Sequence, residues 1–541
     1  MTEPMECTRF AFARLPHSTR LLADYLDDFQ NLSAFYSHPP RRDGVLAAAR
    51  AVNLAPETRA QVAKIMADEN RRFGLDPAAE QNIERFRKGA VAIVTGQQVG
   101  LFSGPAYTFY KALGALRLAR ELTESGVDAV PIFWMATEDH DLTEVNQCFW
   151  PTRAGFERHE LPFAPETAGG PVGRLALPEE VRSAVESVCA KLEGPSTPSI
   201  TAALENAYRL GETLGSAFGR LLARLLGPRG LILLDPLDAR LHQLAKPLYL
   251  AAMDAKEELD AALLERAERL VNGGYHAQVR VTEESTLLFW EKDGKRFPVE
   301  SRGGKLRVGD QDLTASEFRA AVEQHPERTS ANVLLRPVVQ DALLGTAAYI
   351  GGAAEIAYLA QAQVVYRRLG VPMPAVLARP GFTIVERPIA RLLSKYRLEM
   401  TDVFQGRQHL RVLMERESLP EDLLEDFAER EAKLKELLAG LREPLIRLDA
   451  TLAGALDTAE RKMLYQFGKL HEKAGRALGM RSGILDRHEQ LLTDLLYPHH
   501  GLQERTLCFL PMLAWQGLSL LEALEAEANA DSAHHAVVLL D

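Results

Sequence analysis

An α/β fold built on a parallel sheet is the architecture this sequence predicts, and three observations predict it. Residues 91–94 (VAIV) form an apolar run too short for a helix and flanked by Gly, the pattern of a buried strand. A turn rich in Gly and small polar residues follows at 95–105, then a helical pattern in which Tyr107, Tyr110, Leu113, Leu116, Leu118 and Leu122 make one broad apolar face. A second apolar run occupies 130–135. Strand, turn, helix, strand is the unit of a parallel sheet, and in such sheets ligands sit beyond the carboxyl ends of the strands.

Both strands end in polar chemistry. Thr95, Gln97, Gln98 and Ser103 follow the first; Glu138, Asp139, His140, Asp141 and, further on, Asn146 follow the second. Four consecutive ionisable residues directly after a buried strand are hard to explain as packing. One reading is a solvated turn in which Asp141 caps the next helix with Glu144 as its N3 partner. The other is a catalytic or ligand-binding cluster: His140 exchanges protons, and the carboxylates hold an ammonium group or a metal.

Composition bounds the function. A chain of 541 residues needs at least two structural units. Its 46% hydrophobic and 25% charged content is ordinary for a globular protein. A net charge of −11 argues against a nucleic-acid backbone as the main partner, because phosphate binding needs a basic surface. Cys7, Cys148, Cys189 and Cys508 are scattered without a CxxC pair, which disfavours a zinc-thiolate site and a disulfide framework. No apolar segment reaches the ~18 residues of a membrane span, and the first residues lack a signal peptide's apolar core. A cytoplasmic location with no membrane partner is expected.

Residues 1–88 are helical in pattern. From 149 to 198 Pro and Gly punctuate short pieces, with PVGRL as one short strand. A helix over 199–226 stops at Gly227 and Pro228. LILLDP (231–236) repeats the buried-strand pattern, and a long helix follows near 240–270. Alternation in AQVRV, TLLFW, RFPVE and KLRVG predicts a small antiparallel subdomain at about 275–310. The apolar run 332–339 reads as another sheet strand, ending in Gln340 and Asp341. Tyr349, Gly351, Gly352 and Glu355 open a helix whose N-terminus suits an anion. PAVLAR (374–379) is the last strand expected. Arg336 reads as a structural ion-pair partner.

From 386 onward Leu434, Leu438, Leu441, Leu445, Leu448 and Leu452 recur on heptad-like steps, broken by Pro444. A second series runs through Leu456, Met463, Phe467 and Leu470, so a folded coiled-coil arm able to dimerise is expected. The domains expected are a core over 1–385 with inserted segments at about 149–225 and 255–330, a helical domain over 386–500, and a segment over 501–541 that packs back. His534 and His535 read as terminal surface residues without a role.

TGQQVGLFSGPAYTFYKA, PIFWMATEDHD, LLRPVVQD, AYIGGAAEIAYLAQ and LQERTLCFLP resemble, in that order and across nearly the whole chain, the bacillithiol synthase family. The resemblance implies a Rossmann-like core related to class I aminoacyl-tRNA synthetases (the cysteinyl enzymes above all), two connecting insertions and a coiled coil that makes a homodimer. It implies a ligase that joins the carboxyl of cysteine to the amine of glucosaminyl-malate, the last step of bacillithiol biosynthesis. It also implies binding of an adenine nucleotide (ATP or ADP) in a pocket distinct from the principal one, although no Walker-type loop is present. No metal is expected.

Carboxylate and ammonium do not condense usefully in water, so the resemblance points to an activated cysteinyl carboxyl, an acyl-adenylate or acyl-phosphate. The amine must lose a proton, with His140 as the general base. Glu138, Asp139 and Asp141 orient His140 and bind the ammonium group. Gln97, Gln98 and Asn146 suit sugar hydroxyls and carboxylates. Ser103 and Tyr107 belong to the same binding set, and Lys111 pairs with a malate carboxylate or a phosphate unless it is a solvated helix lysine. Gln340, Asp341, Tyr349, Gly351, Gly352 and Glu355 close the pocket from a neighbouring strand end. Two rivals are a metal-dependent hydrolase using Asp139, His140 and Asp141, and a non-catalytic coiled-coil dimer that only binds a sugar or nucleotide.

Overall fold

A computed structural model describes residues 6–479, 483–528 and 534–540. The chain forms two units. One comprises Met1–Thr152, Phe156–Thr383 and Glu504–Val537, the other Arg153–Gly155, Ile384–Gln503 and Val538–Asp541.

The first unit is organised by a parallel sheet of five strands. Their spatial order is Ala375–Ala378, Thr346–Gly351, Val91–Gln97, Ala129–Met135 and Ile232–Leu234. Val91 pairs with Ala129 and Gln97 with Met135; on the other side Val94 pairs with Tyr349. Every residue of the central Val91–Gln97 strand except the last is buried, which explains its unbroken apolar character. Alternate side chains serve opposite faces. Ala92, Val94, Val130, Ile132 and Trp134 join one core with the helix Ala353–Leu369, while Val91, Ile93 and Ala129 join another with the helix Tyr107–Glu124.

Strand order reverses beside Val91–Gln97. From there the chain winds outward through Ala129–Met135 to Ile232–Leu234, then returns to lay Thr346–Gly351 on the other side. A reversal of this kind leaves a crevice at the carboxyl ends of the two central strands.

Several expectations shift in detail. Residues 332–339 are not a strand: Asn332 Oδ1 accepts from the N–H groups of Leu334 and Leu335, and the helix Arg336–Leu344 starts with Pro337 in its first turn. Asn followed by Pro is a helix-start signal that the apolar run masked. The sheet strand is instead Thr346–Gly351, rich in Ala and Gly. PVGRL makes a 3-10 turn at Val172–Arg174, and the helical stretches near 199–226 and 240–270 each break in two. The antiparallel sheet runs Gln311–Leu313, Lys305–Val308, Lys295–Arg302, Ser285–Lys292, Thr329–Ala331, without the AQVRV segment. His535 is fully buried, not a surface residue: its Nε2 lies 2.8 Å from Thr383 Oγ1.

The second unit is mostly helical. Glu421–Ala439 and Leu452–Gly479 pack together through Phe427, which stacks on His471 with centroids 4.2 Å apart. The helix Arg442–Leu448 lies between them in sequence, with Pro444 in its first turn. Among the described residues no helix is long and apolar enough to cross a membrane.

Gly96 links fold to crevice. A Cβ there would lie 2.8 Å from the backbone oxygen of Trp134 on the adjoining strand, which cannot move aside without opening the sheet. Gly96→Ala is expected to lower stability by about 1–3 kcal/mol, the range for overpacking, and chemical denaturation measures it.

Candidate active site

The crevice is two adjoining hollows. The first, about 250 Å³, is lined by Gln97, Gln98, Tyr107, Lys111, Asp139, Gly352 and Glu355, together with Arg336, Tyr358, Arg379 and Arg505. The second, about 360 Å³, is lined by Glu138, Asp139 and His140 with Phe289, Arg296, Asn332 and Arg336. Ala136, Asp139 and Arg336 line both.

A buried ion pair forms the floor of the first hollow. Lys111 Nζ lies 2.5 Å from Glu355 Oε2, and donates to Gly96 O at 2.8 Å and Gln97 Oε1 at 2.9 Å. Its three donors are thereby taken, so it is neither a solvated lysine nor a ready partner for a substrate anion. Glu355 also accepts from Tyr349 OH at 2.5 Å and from Gly352 N at 2.7 Å. Burial alone would raise this carboxyl, but Lys111 and the Gly352 N–H outweigh it and hold it below its ordinary range. The helix N-terminus expected to receive a ligand anion therefore holds the chain's own carboxylate. Tyr349 and Gly351, expected to close the pocket, line neither hollow; Tyr349 acts on the floor through Glu355.

Positive charge on the lining comes from three arginines, one of them already paired with a carboxylate. Arg336 Nη2 donates to Tyr358 OH at 3.3 Å. Arg379 is buried, lies 2.5 Å from Glu504 Oε1 and sits 5.2 Å from the Tyr107 ring centroid. Arg505 completes the lining. Arginine forks bind carboxylate or phosphate oxygens pairwise, so the first hollow suits a small anion with more than one acidic group.

The two neighbouring carboxylates are driven apart. Burial raises Glu138 above its ordinary range, against the pull of His242, Arg296 and Arg336. Burial would raise Asp139 too, but Gln98 Nε2 donates to it at 2.7 Å and His140 N–H at 2.7 Å, and these contacts hold it below its ordinary range. Divergent environments of this kind separate a proton-exchanging acid from a permanent anion. His140 is partly exposed, with Arg296 Nη1 3.3 Å from its Nδ1. A guanidinium has only donors, so in the neutral ring Nδ1 accepts and Nε2 keeps its hydrogen.

Other residues singled out in the sequence lie elsewhere. Asp141 caps the short helix Leu142–Val145 through the Thr143 N–H at 3.0 Å, the solvated-turn alternative. Asn146 donates to Glu160 Oε1 at 3.1 Å. Ser103 is buried beneath the loop and lines neither hollow. Gln340 and Asp341 sit inside the helix Arg336–Leu344, where Gln340 Nε2 donates to Asp341 at 3.0 Å and Tyr366 OH donates to it as well. They line neither hollow, because the strand they were expected to end is a helix; burial raises Asp341 to about 6. Among the described residues no group of three or more His, Cys, Asp or Glu is arranged to hold a metal.

Residues 5–380 match the family model described as "Bacillithiol biosynthesis BshC, N-terminal Rossmann-like domain", and residues 382–540 the model for its C-terminal coiled-coil domain. The chain belongs to the BshC family. Its relatives include a protein of Koribacter versatilis, 41% identical over 97% of this chain and 98% of its own, and one of Solibacter usitatus, 37% identical over 99% and 100%. Both carry the name "Putative cysteine ligase BshC". A solved structure described as an arginyl-tRNA synthetase of Campylobacter jejuni aligns over 88% of this chain and 99% of its own at 11% identity, with a TM-score of 0.24, too low to argue from. The fold itself is Rossmann-like, with the expected parallel sheet and a coiled-coil region.

Glu355→Gln leaves the Lys111 ammonium buried without its counter-charge. The loss of one partner from a buried pair costs about 3–5 kcal/mol, and urea denaturation is expected to show a loss of that order; an unchanged midpoint would mean that Lys111 has moved out to water.

Proposed function

We propose that the chain is a cysteine ligase that forms the amide between the carboxyl of cysteine and the amine of glucosaminyl-malate, in bacillithiol biosynthesis. The observation that carries this reading is the junction of an arginine-lined hollow with a carboxylate-lined one at Asp139 and Arg336. Malate brings two carboxyl functions and fits Arg336, Arg379 and Arg505. The aminosugar brings an ammonium group and fits Asp139 and Glu138.

In this reading Asp139 stays ionised and holds the ammonium, while Glu138, whose buried carboxyl takes up protons more readily, removes the proton. The freed amine attacks a cysteine carboxyl that already carries a leaving group. His140, with Nε2–H as a donor, stabilises negative charge on the carbonyl oxygen instead of acting as the base. Gln97 and Gln98 supply amides to hydroxyl or carboxylate oxygens. The reading includes a homodimer through the helical unit, on which Leu437, Leu448 and Tyr465 are exposed.

The resemblance also implies an adenine nucleotide. The place where a phosphate commonly sits in a parallel sheet, the N-terminus of Ala353–Leu369, is filled by Glu355. That helix N-terminus therefore does not fit the phosphates, and no step is assigned to the nucleotide.

Purified protein incubated with cysteine, glucosaminyl-malate and nucleotide is expected to produce the new thiol, followed by mass spectrometry. Glu138→Gln should cost about 10²–10⁴-fold in kcat/KM, the range for a general base, and His140→Ala less. A greater loss in His140→Ala than in Glu138→Gln would return the base to the imidazole.

A further inference from the structure

Behind Glu138, on the side away from the open hollow, lies a histidine with no place in the site so far. His242 stands in the first turns of Ala239–Asp254, the helix that follows the Ile232–Leu234 strand. The parallel pairing of that strand with Ala129–Met135 brings their carboxyl ends side by side, and so brings together residues a hundred positions apart. His242 is buried, its Nε2 lies 3.7 Å from Glu138 Oε1, and its Nδ1 lies 3.2 Å from Tyr249 OH, two helical turns further along the same face. Among the described residues His242 Nε2 has no hydrogen-bond partner. A small hollow of about 10 Å³, lined in part by Glu138, His242, Tyr249 and Arg336, adjoins the pair.

We infer that His242 is a positioning residue that acts through Glu138 as the second stage of a proton relay, with Tyr249 fixing the ring. The inference deepens the ligase reading and rests on it. With Nδ1–H donating to Tyr249 OH, the neutral ring presents the Nε2 lone pair to Glu138. The Glu138 carboxylate takes a proton from the substrate ammonium, leaving a neutral amine with a free electron pair. The protonated carboxyl then closes the gap to Nε2 and passes the proton on, which regenerates the carboxylate beside an imidazolium. One proton moves from nitrogen to oxygen to nitrogen, and no other bond changes.

The surroundings favour this division of labour. Glu138 is faced by Arg296 from the Lys295–Arg302 strand, by Arg336 from the Arg336–Leu344 helix, by Asp235 after the Ile232–Leu234 strand, and by Tyr249 and His242 from their own helix. The two guanidiniums pull Glu138 toward its ionised form, against the burial that raises it, so the carboxyl can both take up a proton and give it back. Among the described residues that face it, the imidazole offers a nitrogen without a hydrogen-bond partner.

Two measurements test this separately from the ligase reading. Histidine nitrogen NMR of the protein without substrate is expected to show the neutral His242 ring with its hydrogen on Nδ1, the tautomer that leaves the Nε2 lone pair for Glu138; a hydrogen on Nε2 instead overturns the relay whether or not the protein is a ligase. Steady-state assays are expected to show kcat for amide formation falling by about 10–100-fold in His242→Gln, with the acid limb of the pH profile displaced and KM for glucosaminyl-malate changed less than threefold. Tyr249→Phe, which keeps the packing, should displace the same limb by a smaller amount. A uniform loss at all pH values in both variants overturns the relay, and absence of product from the wild type overturns the ligase reading while the NMR result stands.

Discussion

The contact between Lys111 and Glu355 is the constraint on which the rest of the site depends. It joins the helix that follows the Val91–Gln97 strand to the helix that follows the Thr346–Gly351 strand, across the point where strand order reverses. Two charges taken out of water repay the desolvation only if every donor and acceptor is met. Here Gly96 O, Gln97 Oε1, Tyr349 OH and the Gly352 N–H meet them. The crevice floor is thereby electrically closed, and none of the arginines above it is spent on the floor, although Arg379 is paired with Glu504.

Above that floor, selectivity follows from unequal treatment of similar groups. Glu138 and Asp139 are adjacent carboxylates, yet one is buried against an imidazole and the other is wrapped by an amide and a backbone N–H. The first exchanges protons and the second holds charge. Arg296 and Arg336 differ in the same way: Arg296 is spent on Ser330, the Ala331 carbonyl and the His140 ring, whereas Arg336 lines both hollows.

Much of this was legible in the sequence, and the reason is local. Strands buried on both faces are apolar throughout, so 91–97 and 129–135 announce themselves, and the residues that follow them are at the sheet's carboxyl edge by construction. Gln97, Gln98, Glu138, Asp139 and His140 were singled out that way, and Glu355 from the helix start marked by Gly351 and Gly352; all six line the two hollows. Period alone does not separate a short apolar strand from a buried helix, which is why 332–339 misled and took Gln340 and Asp341 with it. Arg336, Arg379 and Arg505 come from three remote segments, and no local pattern marks them as sharing a hollow. His242 and His535 were hidden for the same reason: their burial is decided by strand pairing far away in sequence.

The central claim is that a dianionic group and an amine occupy two hollows that meet at Asp139 and Arg336. A crystal structure of the protein with glucosaminyl-malate tests it most directly. The account predicts the malate carboxylates among Arg336, Arg379 and Arg505, with the amine within hydrogen-bond reach of Asp139 and Glu138. Malate bound away from those guanidiniums, or an amine turned from both carboxylates, would contradict it.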